Sequence, residues 1–316
     1  MIWPGVPTVP VTRRRDEEFP LDNRKLRRAI DQGAWVRVAP GAFVESADWR
    51  SLRPIQRHRL RVKEVADRAR APQVYSHFAA AAALDIDVLG AWPHPVDVTI
   101  DRATGGRSGG AIRRHALGLD GIDTIVWNGH LITSPAQTAL DLARCLPFTQ
   151  AVAVIDQAVW VRRRGGPLTT TEELRRLLEL STRRGTGRAL RAIAASRTLA
   201  DNVRETESRL LIVRLGFPSP RLQERRILAS GRVVFGDFFF PDANHWGELD
   251  GRGKYLSPES DADRSTADIV IDEKNRENEI RRTVRGFSRW EPSDIAPRRL
   301  YDILTADGLR SSRPRP

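Results

Sequence analysis

Residues 231–254 read GRVVFGDFFFPDANHWGELDGRGK, and this stretch decides the fold of the C-terminal part of the chain. VVFGDFFF predicts a strand over 232–240, apolar almost throughout, with Asp237 in its middle. Burying an isolated ionised carboxylate there is expensive, so Asp237 needs a partner, a cation, or exposure at the sheet end. A second strand is expected over 245–250. Its period of two puts Glu248 and Asp250 on one face. If the two strands are neighbours, three carboxylates converge. Like charges that close do not all stay ionised without a cation. Oxygen-rich clusters of this kind suit Mg²⁺ or Mn²⁺, with Asp237, Glu248 and Asp250 as ligands. Such a metal readies a water and stabilises phosphate in DNA hydrolysis. The competing reading makes Asp250-Gly251 a turn and pairs Glu248 with an arginine.

Working outward, a helix is expected over 205–215 and a strand over 221–228. A turn at Ala229-Ser230-Gly231 leads into the 232–240 strand. A long helix over 262–284 and a strand over 286–291 follow. The order α-β-β-β-α-β describes an α/β domain with a mixed sheet. Leu210, Leu211 and Leu215 face that sheet, which brings Glu207 near its inner edge and toward the carboxylates. The competing role of Glu207 is an exposed first-turn carboxylate favoured by the helix dipole. Lys254, Lys274 and Arg276 are the bases placed to neutralise the cluster or polarise a phosphate. Each also reads as a solvated surface charge. His245 reads as structural.

The other end of the chain has a different signature. Residues 1–20 are rich in proline and charge and predict an extended arm. LDNRKLRRAIDQG (21–33) then places Leu21, Leu26 and Ile30 near one helix face, with Asp22 or Asn23 as N-cap and Gly33 as the stop. WVRV, a turn at Ala39-Pro40-Gly41, and AFV read as a hairpin. Helix, strand, turn, strand outlines the end of a winged helix-turn-helix. Arg24, Arg27 and Arg28 lie on the exposed side of the helix and Arg37 on the wing, where they reach phosphates or base edges. Further on, 54–70 predicts a basic helix, Ser76 caps HFAAAAAL, and PVDVTI and AIRRHAL are strands. Ser134 opens a helix with Pro135 in its first turn. Helices follow over 148–161, 170–181 and 187–197, and SRTLADN ends a domain at Asn202.

The chain has 316 residues, a formal net charge of +12, and one cysteine, Cys145. Its length suits two or three domains. One thiol excludes an internal disulfide framework and a cysteine zinc site, and fits a reducing compartment. No apolar run is long enough for a membrane span, and the N-terminus lacks the order of a secretory signal, so a cytoplasmic protein is expected. The charge is uneven: residues 1–200 carry net +11 and residues 201–316 net +1. Forty-eight of the 52 basic residues are arginine. A GC-rich genome raises arginine over lysine, but does not place the charge in one half. An arginine-rich half points to a polyanion, most often nucleic acid.

Two resemblances follow from these residues. ESRLLIVRLGFPSP around Glu207, GDFFFP with Asp237, GELDGRGKY, and the EKNRE of 273–277 before GFSRW resemble an actinobacterial branch of the PD-(D/E)XK nuclease-like superfamily, close to the very-short-patch repair endonucleases. The resemblance covers about residues 203–306 and implies a restriction-endonuclease-like αβββαβ domain. Asp237 matches the superfamily's strand Asp, and Glu248 the Glu of its Glu-x-Lys. Asp250 stands where that motif has lysine, which leaves the basic role to Lys254, Lys274 or Arg276. The N-terminal two-thirds is similar to the AbiEi-type antitoxins of type IV toxin–antitoxin systems, through RRAIDQGAWVRVAPGAFV, SHFAAAAAL, PVDVTI and ITSPAQTALDLA. That similarity implies promoter binding by the winged helix, a second domain supporting antitoxin activity, and a nucleotidyltransferase toxin as partner.

The expectation is therefore an α+β protein of three parts. Residues 1–50 form the arm and winged-helix-like segment, 51–202 an antitoxin-like α/β domain, and 203–316 the nuclease-like domain. The function expected is that of a DNA-binding, antitoxin-like transcriptional regulator. The alternative is an active Mg²⁺-dependent endonuclease.

Overall fold

Within the expected N-terminal arm, residues 5–16 are described, and they are docked. In the computed structural model, which describes residues 5–16, 22–102, 108–250 and 266–316, this segment runs extended. Its strand β1 (Thr12–Arg13) pairs antiparallel with β3. Val6, Val9 and Val11 rest against a cluster of Val38, Val44, Trp49, Leu52 and Leu60. Arg13 donates through Nε and Nη2 to the buried Glu64, at 3.0 and 2.6 Å. The prolines favour an extended backbone, while the interspersed valines supply the apolar area that holds it down.

From Asp22 to Glu45 the described residues form the expected helix and hairpin, while Leu21 lies outside the described residues. Asp22 accepts the backbone N–H groups of Arg24 and Lys25 at 2.9 and 2.8 Å, and this cap starts α1 (Asn23–Asp31). Leu26 is the buried residue of α1. β2 (Trp35–Ala39) and β3 (Ala42–Glu45) form the hairpin, and the small sheet has the order β1-β3-β2. Gly41, at φ +66°, supplies the left-handed turn residue. Then come α2 (Ser46–Ser51), α3 (Pro54–Ala66), β4 (Val74–Tyr75), α4 (His77–Ala83), β5 (Val96–Ile100), β6 (Ile112–Ala116), β7 (Thr124–Trp127) and β8 (His130–Thr133). The second sheet is mixed, in the order β6-β5-β4-β8-β7. Four helices follow: α5 (Pro135–Cys145), α6 (Phe148–Ala158), α7 (Thr171–Glu179) and α8 (Thr186–Ala195). Ser134 caps α5 through Gln137 N. Ser76 does not cap α4, because its hydroxyl is engaged by His77 and Thr99 instead.

The chain divides into two compact units, Met1–Val159 with Arg163–Ser196, and Trp160–Arg162 with Arg197–Pro316. The second unit contains α9 (Val203–Arg214), β9 (Arg221–Ile227), β10 (Val233–Phe240), β11 (His245–Leu249), α10 (Thr266–Thr283), β12 (Gly286–Trp290) and α11 (Pro297–Ala306). Its sheet has the order β12-β11-β10-β9; β11 and β12 are parallel and the other pairs antiparallel. Phe238, Phe240, Leu249 and Trp290 pack with Ile212 of α9 and Leu300 and Leu304 of α11. Phe239, Trp246 and Phe287 pack with Ile280 of α10. The alternation along FFF thus covers the sheet on both sides. The fold is α+β, with α11 added beyond the six expected elements.

Candidate functional site

Asp237 lies at an irregular point of the sheet. Its neighbour across β9, Gln223, has φ +52°, a left-handed value uncommon for a residue with a side chain. The two carboxylate oxygens of Asp237 accept from different donors. Leu249 N donates to Oδ2 at 2.9 Å and Gln223 Nε2 to Oδ1 at 3.4 Å. Gln223 Nε2 also lies 3.5 Å from Glu205 Oε2, and its Oε1 accepts from Arg162 Nη1. A neutral amide is thereby set between two buried carboxylates, Asp237 and Glu205, with an arginine behind it.

Glu205, and not Glu207, is the α9 carboxylate at this place. Glu205 is buried and accepts from Asp201 N at 2.8 Å and Asn202 Nδ2 at 2.6 Å. Glu207 pairs with Arg204 at 2.7 Å on the outer side. The cause is the cap: Asn202 is the N-cap, so Glu205 falls at the third helical position and reaches back to the start of the helix.

Glu248 has a different environment. Arg276 Nη2 donates to its Oε1 and Oε2 at 2.9 and 3.0 Å, Arg289 Nη2 to Oε2 at 2.8 Å, and Trp246 Nε1 to Oε1 at 3.1 Å. Arg276 also donates to Glu273, through Nε and Nη2, both at 2.9 Å. Arg289 reaches Glu277 at 3.1 Å and Asp250 at 4.0 Å. Burial works against the charge of both arginines. Hydrogen bonds to Glu273 and Glu248, with their fields, overcome it at Arg276, and a hydrogen bond to Glu248 with the fields of Glu248, Glu277 and Asp250 overcomes it at Arg289, so both guanidiniums are held above their ordinary range. Asp250 falls just past the end of β11, one residue beyond the strand, and its N–H donates to Trp290 O at 2.8 Å.

The expected cluster is thus divided. Glu248 is enclosed by guanidinium and indole donors, and both oxygens of Asp237 are engaged by N–H donors. Among the described residues, no group of three or more His, Cys, Asp or Glu side chains is placed to hold a metal ion. Among the described residues, Asp237, Glu248 and Asp250 are not gathered into one ligand set for Mg²⁺ or Mn²⁺. Of the three bases, Arg276 neutralises Glu248, Lys274 is exposed, and Lys254 lies outside the described residues. His245 donates to or accepts from Ser288 Oγ at 2.8 Å in the buried sheet, a structural role. Gln223, Glu205, Arg162 and Arg289 were missed in the sequence. The capping pattern Asn202-x-x-Glu205 was the one available signal.

The basic residues of the first unit are arranged differently. Arg24, Arg27 and Arg28 are exposed on α1, at the three- and four-residue spacing that makes neighbours on a helix. Arg37 is exposed on β2. None of the four has an ion pair among the described residues. Arg57 and Arg61 stack over the Trp49 ring, at 5.6 and 4.9 Å from its centroid. Burial and then the field of Arg57 lower the Arg61 pKa, and burial with the fields of Arg61 and Arg37 lowers that of His94. At both groups burial is the larger cause, and the neighbouring guanidiniums add to it.

No protein-family model matches the chain. An uncharacterized protein of Mycobacterium tuberculosis, found in two strains, is 31% identical over 115 residues, which is 36% of this chain and 41% of the relative. The chain therefore spans about two-fifths of the length of the curated relatives it matches.

Proposed function

We propose that the protein binds duplex DNA through its N-terminal basic face, as an antitoxin-like transcriptional regulator carrying a nuclease-like C-terminal unit, and that it works in the cytoplasm. One observation carries this reading. Arg24, Arg27, Arg28 and Arg37 are exposed and have no ion pair among the described residues, whereas arginines elsewhere, such as Arg13, Arg113, Arg276 and Arg289, are tied to carboxylates. Leaving like charges together on one face costs stability unless a polyanion meets them. The helix-and-hairpin outline around these arginines supports insertion or docking along the phosphate backbone. No metal-assisted cleavage is included, because Glu248 is committed to Arg276 and Arg289.

The test is fluorescence anisotropy of a labelled duplex with the wild-type chain and with R24Q/R27Q/R28Q. Loss of at least tenfold in affinity with an unchanged melting temperature supports the reading. Equal affinity of the two proteins overturns it.

A further inference from the structure

Outside the basic face, the first unit holds an open cavity of about 490 Å³ between its second sheet and its helices. Its lining includes His77, His115, Arg102, Asp141, Arg144 and Arg183. Arg184, Cys145 and Thr182 add to its polar lining. Four arginines therefore face one carboxylate.

The walls are built from buried, hydrogen-bonded groups. β5 and β6 run parallel, with Asp97 beside Arg113 and Thr99 beside His115. Asp97 is fully buried and accepts from Arg113 Nε and Nη2, at 2.5 and 3.0 Å, and from His115 Nε2 at 2.8 Å. His115 stacks on His77, with ring centroids 3.9 Å apart and an interplanar angle of 14°. Thr99 Oγ1 donates to Ser76 Oγ at 2.9 Å, which frees the Ser76 hydrogen for His77 Nδ1 at 3.0 Å. A neutral His77 then carries its proton on Nε2, which remains as a donor. His77 adopts φ +47°, an uncommon backbone conformation that opens α4 at the cavity wall.

Asp141 organises the other side. Its Oδ1 accepts from Gln137 Nε2 at 2.7 Å, Arg183 Nη1 at 3.0 Å and Arg144 Nη1 at 3.2 Å. Arg183 Nη2 also donates to Gly118 O at 3.3 Å, and Arg102 Nε to Leu117 O at 3.2 Å. These bonds fix the guanidiniums while leaving donors on each. Among the described residues, the buried Nε of Arg144 has no hydrogen-bond partner.

We propose that this cavity binds a phosphate monoester, held by Arg102, Arg144, Arg183 and Arg184 with the His77 N–H. Guanidinium forks match phosphate oxygens in geometry as well as charge. Its volume lies within the range of small-ligand sites and accommodates an organic group attached to the phosphate. The monoester is carried either by a free mononucleotide or by a phosphorylated nucleic-acid end.

The experiment is isothermal titration of the full chain with inorganic phosphate, adenosine 5′-monophosphate and adenosine, and with 5′-phosphorylated and 5′-hydroxyl forms of one short oligonucleotide. Binding of the monophosphate but not adenosine assigns a free nucleotide. Tighter binding of the phosphorylated oligonucleotide than of its hydroxyl form assigns a nucleic-acid end. R102Q/R184Q changes two exposed residues; unliganded melting is expected to stay close to wild type while monoester affinity falls at least tenfold. Monoesters that give no heat, or that bind this variant as tightly as wild type, overturn the proposal.

Discussion

One guanidinium nitrogen of Arg276, Nη2, lies 2.9 Å from one carboxylate oxygen of Glu248 and 3.0 Å from the other. Arg289 closes the same carboxylate from β12 at 2.8 Å. The carboxylate that sequence placed in a catalytic cluster thus fastens α10 to the sheet. Removing one partner of such a pair leaves charges stranded in a half-buried place. Glu248→Ala is expected to cost about 2–4 kcal/mol in urea unfolding. In a double-mutant cycle with Arg276→Ala, the second change is expected to cost much less in the Glu248→Ala background than alone. Additive losses contradict the pairing.

Stability is expected to fall on mild acidification. Burial holds the pKa of both His58 and His77 down at about 4, against 6.5 for an exposed histidine. Arg61 and Arg113 oppose the charge of His58 while Asp97 and the Pro93 carbonyl favour it; Arg113 and His115 oppose that of His77 while Asp141 and Asp97 favour it. The unfolded chain therefore binds these protons more readily than the folded one. The contribution is complete above pH 6.5 and is lost as pH falls from there toward 4, to the extent of about 3 kcal/mol per histidine. Urea midpoints measured across this window check the slope, and His58→Gln should flatten it. A midpoint independent of pH between 6.5 and 4 contradicts the burial of both rings.

Gly236 on β10 leaves no room for a side chain. A Cβ there meets Trp246 Cε2 and Cζ2 at 2.5 Å, and Trp246 is fully buried. Gly236→Ala is expected to destabilise by about 1–3 kcal/mol through overpacking, read by thermal or urea unfolding. Trp246→Phe in the same chain should recover part of the loss by shortening the ring.

What was legible in the sequence was local. The Asp22 cap, the burial of Leu26 on its helix, the 39–41 turn and the Phe238–Phe240 run each carry their own periodicity or turn chemistry, and each forms as read. Thr124–Trp127 and His130–Thr133 are not among the expected strands, although Asn128-Gly129, at φ +50° and +79°, is a hairpin turn with a clear sequence signal. β4 is two residues long, too short to show a period. Glu205 and Glu207 exchange roles because leucine spacing alone phases α9 by its apolar face, while its cap decides which carboxylate turns inward. The split of Asp237 from Glu248 depends on Gln223 and Arg289, supplied by β9 and β12, and no spacing in one segment announces that. The stacked His77 and His115, 38 positions apart, meet because β4, which leads into α4 and His77, and β6, which carries His115, flank β5 in the sheet.

The most direct test of DNA binding by the α1 face is the salt dependence of duplex affinity, measured for wild type and R24Q/R27Q/R28Q. Each phosphate that the variant leaves unneutralised takes about 0.9 off the slope of log affinity against log salt. The account predicts a slope shallower by about 2–3 units in the variant, with weaker binding at low salt and the same melting temperature. Identical slopes and affinities for the two proteins would contradict it.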